Sequence, residues 1–263
     1  MKSYISVFKM RLRMELQYRG AMIGGMLCQM FFGLILVALY RALYEGHPQS
    51  IPIENVATYV WIQQGFFRMM LASDSELLDK IRTGDISYDM CRPVNMYGFY
   101  YARIMALKLM GSVMRAVPML FMAFLLPKGW GMNLPSSPAS LMAAVPALVL
   151  GLLCVCALEN ITVAFTMITL DPRGMQGLLN LLMMTLSGNV IPLTLFPDSW
   201  QKVITLFPYA QLLDAPIRIY TGDYGLESVL RVYMIQGFWV VVLVALGAYM
   251  WNQNKKRMIV QGG

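Results

Sequence analysis

Long apolar runs separated by short polar segments are the dominant pattern of this sequence. A membrane-spanning helix needs about 20 predominantly apolar residues. Six runs approach or exceed that length: 21–43, 53–72, 100–126, 141–170, 175–195 and 233–251. The second run is less clean, because it holds Gln63, Gln64 and Arg68. The pattern predicts an all-α integral membrane protein with about six transmembrane helices, in one domain covering residues 20–263.

The N-terminal stretch 1–19 has a different pattern, in which basic and apolar residues alternate. Lys9, Arg11 and Arg13 lie among Phe8, Met10 and Leu12. A basic amphipathic helix of this kind lies in the plane of the membrane interface. We therefore expect an interfacial helix ahead of the first span.

The fifth apolar run ends in GNVIPLTLFPDSW (188–200), which contains two prolines yet stays apolar. Irregular backbone at membrane depth persists only where protein or a water-filled cavity covers it. We expect segment 189–228 to form one or two short helices, broken at Pro197, Pro208 and Pro216, in a re-entrant hairpin. A helix lying flat on the outer surface is the alternative. The predicted outer-gate residues are Gly188, Asn189, Pro192, Phe196, Pro197 and Trp200.

The polar segment 73–95 between the second and third runs contains a short helical pattern. Ser73 or Asp74 is a candidate N-cap, and Gly84 is a candidate stop. Leu77, Leu78 and Ile81 form one apolar stripe. Because no soluble domain accompanies this segment to cover the stripe, we expect it to contact another protein. An ordinary solvated loop is the alternative.

Composition supports a membrane protein. Hydrophobic residues make up 58% of the chain and charged residues 13%, whereas soluble domains carry about 25% charged residues. The net charge of +7 is therefore attributed to basic cytoplasmic ends and not to nucleic-acid binding. Basic residues concentrate on one side of the spans, and both termini belong to that basic side. Termini on the same side of a membrane require an even number of spans. We expect a multi-pass protein of the cell membrane with both termini in the cytoplasm.

Five charged residues fall within or near the apolar runs: Arg68, Arg103, Lys108, Arg115 and Glu159. Arg68 and Arg103 are expected to reach the interface by snorkelling. Lys108 and Glu159 lie at comparable depths on neighbouring spans, and buried charges in membranes are usually paired. We predict an intramembrane Lys108–Glu159 ion pair, with a structural role favoured over substrate contact.

Catalytic chemistry has little support in the sequence. There is no G-x-x-x-x-G-K-[ST] phosphate-binding loop, so the chain has no ATPase site of its own. Intramembrane hydrolysis needs paired carboxylates, a metal set or an activated nucleophile. The single histidine, His47, lies in a predicted outer loop, and Cys154 and Cys156 point in different directions on a helix. We expect no enzyme activity, no metal site and no bound cofactor.

The order of these motifs resembles a known family. DKIRTGDISYDMCRP (79–93), GNVIPLTLFPDSW and LFPYAQLLDAP (206–216) are similar to stretches of the export-type (type-2) permeases of ATP-binding-cassette (ABC) transporters. The resemblance implies that segment 73–95 holds the coupling helix that seats in the ATPase. The coupling residues it implies are Glu76, Leu77, Leu78, Asp79, Lys80, Ile81, Arg82 and Gly84.

The resemblance also implies the partners and the cargo class. ATP and Mg²⁺ would bind to a separate ATPase subunit present in two copies, beside a second permease that is identical or homologous. An amphipathic drug, peptide or lipid is the expected cargo, since Met-rich spans (24 Met in the chain) offer an adaptable apolar surface. A secondary transporter or channel, or a non-transporting immunity or sensor protein of the same fold, is the alternative.

Overall fold

The computed structural model describes residues 2–46 and 51–256, and the described part is all helical. His47 lies outside the described residues. The α-helices are α1 (Lys2–Gln17), α2 (Arg19–Gly46), α3 (Ile53–Leu71), α4 (Ser75–Thr83), α5 (Ile86–Met90), α6 (Met96–Phe124), α7 (Pro138–Thr169), α8 (Arg173–Leu186), α9 (Asp198–Ile204), α10 (Asp214–Thr221) and α11 (Val229–Asn254). Short 3-10 turns at Leu193–Leu195 and Leu226–Ser228 precede α9 and α11.

Four helices of the described chain are long and apolar enough to cross a membrane. They are α2, α6, α7 and α11, the last extended by the 3-10 turn that begins at Leu226. The 19 residues of α3 also have the length for a span, but Glu54, Gln63, Gln64 and Arg68 lower its hydropathy. Most of α3 is buried inside the protein. The first, third, fourth and sixth predicted runs thus correspond to candidate membrane helices.

The fifth predicted run is shorter than the sequence indicated. The prediction of one helix through residue 195 is wrong, because α8 ends at Leu186 after 14 residues. At 1.5 Å per residue this helix is about 21 Å long, less than the ~30 Å hydrocarbon thickness. Gly188 stops it with a φ of 76°, and a Cβ there would collide with the Tyr59 hydroxyl. Apolar composition continues past this break, which is why hydropathy alone missed it.

Helix α7 lies at the centre of the bundle, and α6, α10 and α11 pack around it. Its start is fixed by a capping box, in which Ser137 and Ser140 exchange side chain–backbone hydrogen bonds, with Pro138 in the first turn. Tyr233 of α11 donates to the Ala143 carbonyl near that start, and Asn254 donates to the Ala164 carbonyl near the other end. Helices α7 and α11 therefore run in the same direction.

The bundle has two chemically different ends. Trp251, near the end of α11, packs against Tyr100 near the start of α6 with ring centroids 5.5 Å apart. This is the end that carries α4 and α5, and we call it the α4 end. The opposite end carries the α6–α7 loop, where Tyr220 of α10 donates to the Asn133 carbonyl. We call it the distal end.

The N-terminal residues Lys2–Gln17 form helix α1, which packs along α6, and the location of α1 in the membrane interface stays a prediction. Val7 and Glu15 are buried, whereas Ile5 and Met10 on other faces are exposed. One face of α1 thus packs against the rest of the protein. The apolar side chains on its other faces are exposed.

Segment 189–228 forms short helices separated by turns, as the sequence predicts. Pro197 directly precedes α9, and Pro208 lies in the turn before α10. The predicted break at Pro216 is wrong. Pro216 lies in the first turn of α10, where a backbone N–H has no intrahelical acceptor and proline is tolerated.

Candidate functional site

Helix α4 begins and ends where the sequence predicts. The Asp74 side chain caps it by accepting a hydrogen bond from the Leu77 backbone N–H at 3.2 Å. Gly84 closes it in the left-handed conformation with a φ of 83°, which glycine adopts without a Cβ clash. These two signals resolve the N-cap alternatives in favour of Asp74 and fix α4 as a distinct helix between α3 and α6.

The apolar stripe of α4 is covered by the chain itself. Leu77, Leu78 and Ile81 are each less than 5% exposed, and α4 packs against α7 and α5. The prediction that this stripe lies open for a partner protein is wrong. An amphipathic pattern shows that a face is covered but does not show by what, and here the ends of neighbouring spans provide the cover.

Arg103 of α6 joins α4 to the bundle through two carboxylates. Its guanidinium binds Asp74 at 2.6 and 3.1 Å and Glu76 at 2.7 Å. The Asp74 side chain is fully buried, so it combines the roles of helix cap and ion-pair partner. Arg103 was expected to snorkel to the interface; that expectation is wrong, because the arginine is buried and finds its counterions within the protein.

The same cluster also holds α1 and α3. Arg11 of α1 lies 3.1 Å from Glu76 and 3.7 Å from Asp74. Glu15, one turn further along α1, is 3.2 Å from Arg68 of α3. Charge-assisted contacts thus connect four helices at the α4 end. The buried pair of this cluster, Arg103–Asp74, is costly to disrupt one partner at a time.

Helix α5 is anchored by Asp89 in a similar way. Its carboxylate accepts a hydrogen bond from Tyr100 of α6 at 2.9 Å and lies 3.3 Å from Lys80 of α4 and 3.2 Å from Arg92. Lys80, which the resemblance placed at the ATPase surface, therefore has a partner within the chain. Both helices therefore contact the first part of α6: α4 through Arg103 and α5 through Tyr100.

The exposed surface of α4–α5 includes residues that belong neither to the apolar stripe nor to the buried ion pairs. Tyr88 is 77% exposed. Around it lie Asp79, Arg82, Thr83 and Asp85, all exposed. We call these five residues the tip of the α4–α5 hairpin. Among the predicted coupling residues, Asp79, Arg82 and the partly exposed Gly84 lie at or beside the tip.

Lys108 and Glu159 lie together deep between α6 and α7. Lys108 Nζ is 3.9 Å from Glu159 Oε2. Its closer contacts are the carbonyl oxygens of Met69 and Ala72 at the C-terminal end of α3, at 3.3 and 2.5 Å. A cation there interacts favourably with the helix dipole. Lys108 thus binds the end of α3 at least as directly as it pairs with Glu159. A structural role for the pair, favoured over substrate contact, stays a prediction.

The predicted outer-gate residues divide into a buried and an exposed group. Gly188, Asn189 and Pro192 are buried, and the Gly188 carbonyl accepts a hydrogen bond from Gln63 of α3 at 2.5 Å. Pro197 and Trp200 are exposed, and Phe196 is half-buried. The structure therefore does not bring all six into one constriction.

Comparison with protein families identifies the chain. A model of the family described as ABC-2 family transporter protein matches residues 25–262. The chain belongs to the ABC-2 transporter family. ABC-2 permeases are membrane transport components rather than catalytic enzymes, and they work with an ABC ATPase. The apolar helices and this membership make the protein a multi-pass membrane protein. No curated protein matches the sequence.

Several residues that organise this ABC-2 permease were not singled out from sequence. Arg11, Glu15 and Asp89 each lie in polar stretches where a charged residue is unremarkable. Glu15 and Asp89 are buried, and Arg11 is partly buried. An acidic residue beside an apolar stripe, within reach of a basic residue elsewhere in the chain, is the signal that would have found Glu15 and Asp89.

Proposed function

We propose that this protein is the membrane-spanning permease subunit of an ABC exporter. The family match over residues 25–262 is the observation that carries the proposal. ATP binding and hydrolysis would take place on a separate ATPase subunit, and the permease would form the translocation path for an amphipathic cargo such as a drug, an antimicrobial peptide or a lipid.

The ATPase contact in this proposal is the tip of the α4–α5 hairpin. Its apolar stripe faces inward, so the outward surface is mixed polar with one aromatic anchor, Tyr88. Interfaces commonly concentrate their energy in a few aromatic or arginine side chains. Because α4 continues into the ion-pair cluster that holds α1, α3 and α6, a displacement of the tip would move these helices as one body.

The transmembrane arrangement we propose has six crossings, with the α4 end in the cytoplasm. Helix α3, and α8 together with the distal segment, would supply the two crossings beyond the four long helices. Segment 189–228 is proposed as a re-entrant hairpin. In support, the Leu212 carbonyl packs where a Cβ on Gly151 would be, about 20 Å along α7 from its distal start.

Buried amide side chains support the same arrangement. Gln236 of α11 donates to the Gln211 carbonyl at 2.8 Å and to the Ala147 carbonyl at 2.9 Å. Turn backbone needs such donors when water is absent. With the α4 end in the cytoplasm, both termini would be cytoplasmic and α1 would lie along the inner interface of the cell membrane.

The proposed assembly has two permeases and two ATPase subunits. A six-span chain is too small to enclose a large translocation path alone, so a second permease, identical or homologous, would complete the path. The exposed apolar face of α8, which includes Leu178 and Leu181, is a surface that such a mate would cover. Lys108–Glu159 would then act in assembly of the bundle and not in cargo binding.

Affinity purification from native membranes tests the proposal. The tagged permease, solubilised in mild detergent, should retain an ABC ATPase, and native mass spectrometry should give a two-to-two assembly. Reconstituted into liposomes, that assembly should move an amphipathic reporter only with ATP. Transport that proceeds without nucleotide, or purification of the permease free of any ATPase, contradicts the proposal.

A further inference from the structure

A polar cavity of about 280 Å³ opens at the distal end, away from every element of the α4 end. One wall comes from α9, the floor from Gln211 and α10, and the other wall from the start of α11. The lining residues that carry charge are Asp198, Lys202, Arg218 and Arg231. Three cationic side chains from three different helices therefore meet one carboxylate in a single cavity.

The cations of this cavity are incompletely neutralised. Among the residues that the structure describes, Lys202 and Arg231 have no carboxylate within ion-pair distance, although Asp198 lies one turn before Lys202. Arg218 Nη1 is 3.9 Å from Asp214, and within residues 2–46 and 51–256 its buried Nε has no acceptor. The Arg218 guanidinium stacks on Tyr224, with 4.2 Å between Cζ and the ring centroid, so its orientation is fixed.

Like charges that converge on one cavity repel each other unless an anion lies between them. Guanidinium groups match the geometry of phosphate oxygens and are the usual ligands of phosphate. A cavity near 280 Å³ accommodates a phosphate with a small substituent. We infer that this cavity binds a phosphate group, held by Lys202, Arg218 and Arg231.

Two sources can supply such a group. Val203, Leu206 and Phe207 next to the cavity are exposed apolar side chains, which suit the acyl chains of a phospholipid whose headgroup enters the cavity. A free phosphate or phosphate monoester has the same anionic chemistry without the tail. Either ligand would join α9, α10 and α11, and so would hold the distal segment against the bundle.

The test uses the purified full-length protein in detergent, with its thermal unfolding midpoint as readout. The probes are a short-chain phosphatidylglycerol, the matching phosphatidylcholine, and inorganic phosphate. The variants are Lys202→Gln and Arg231→Gln, both at exposed positions that do not contribute to the core. Lys128→Gln is the matched control, because Lys128 is an exposed lysine at the same end but outside this cavity.

The expected result is a saturable rise in the unfolding midpoint with phosphatidylglycerol and not with phosphatidylcholine. Each cavity variant should weaken the apparent affinity about tenfold, since one charged hydrogen-bond partner is lost, and Lys128→Gln should not. A parallel effect of inorganic phosphate identifies a free anion as a ligand, and its absence identifies the lipid headgroup. Equal shifts with both lipids, no shift with any probe, or shifts that survive both cavity variants overturn the proposal.

Discussion

The two ends of the bundle bury polar groups by different means. At the α4 end, full charges meet: Arg103 with Asp74 and Glu76, and Arg68 with Glu15. At the distal end, one ion pair, Arg218–Asp214, is accompanied by neutral amides that satisfy backbone carbonyls, as Gln63 does for Gly188 and Gln236 does for Gln211. The ion pairs named at the α4 end connect regular helices to each other, whereas the two amides named at the distal end donate to irregular backbone at Gly188 and Gln211. The first arrangement suits a joint that transmits force, and the second suits a segment folded back into the bundle.

The largest effect is expected from placing charge in the covered stripe of α4. Leu78→Asp combined with Ile81→Asp buries two unpaired carboxylates against α7, at a cost of several kcal/mol each, and should prevent stable folding. Tyr88→Asp is the matched control, since it places the same charge at the exposed tip and should fold normally. Gel filtration in detergent and yield of folded protein are the measurements. A well-folded double variant would show that the stripe is not part of the core.

The next largest effect is expected at Arg103. Arg103→Ala leaves Asp74 buried without its main partner, and the free energy of unfolding should fall by about 3–5 kcal/mol. Arg82→Ala is the control, because the Arg82–Asp79 pair is exposed and such pairs contribute about 1 kcal/mol or less. Denaturant unfolding in detergent measures both. Equal losses of unfolding free energy in the two variants would mean that the buried cluster at the α4 end stabilises the protein no more than an exposed ion pair does.

A smaller, local effect is expected at the distal end. Gln236→Leu removes both hydrogen bonds and leaves the Gln211 carbonyl without its donor, at about 1–3 kcal/mol for an unmet buried group. The loss should appear as faster hydrogen exchange in residues 205–221, with exchange in α4 unchanged. Gln253→Leu, at an exposed position of α11, is the control. An equal rise in hydrogen exchange at both ends would show that the two ends do not open independently of each other.

The pattern of the sequence predicted elements better than it predicted what covers them. Asp74 and Gly84 fixed α4, and depth along the spans brought Lys108 beside Glu159, because capping chemistry and helix rise are local properties. The cover of Leu77, Leu78 and Ile81, the partners of Arg103 and the short length of α8 all depend on which helices pack together. Arg103 illustrates the limit: one charge near a membrane edge is compatible with snorkelling or with a buried pair, and only tertiary structure selects between them.

The central claim is that the tip of the α4–α5 hairpin engages the ATPase of this permease, and the affinity of that contact is its most direct test. Tyr88→Ala should weaken binding of the ATPase subunit by about 2 kcal/mol, or about thirtyfold, as for an interface anchor. Tyr249→Ala, at a Tyr in α11 that is 63% exposed and away from the tip, should bind as the parent protein does. Equal affinity of the Tyr88 variant and the parent, with both folded, would contradict the claim.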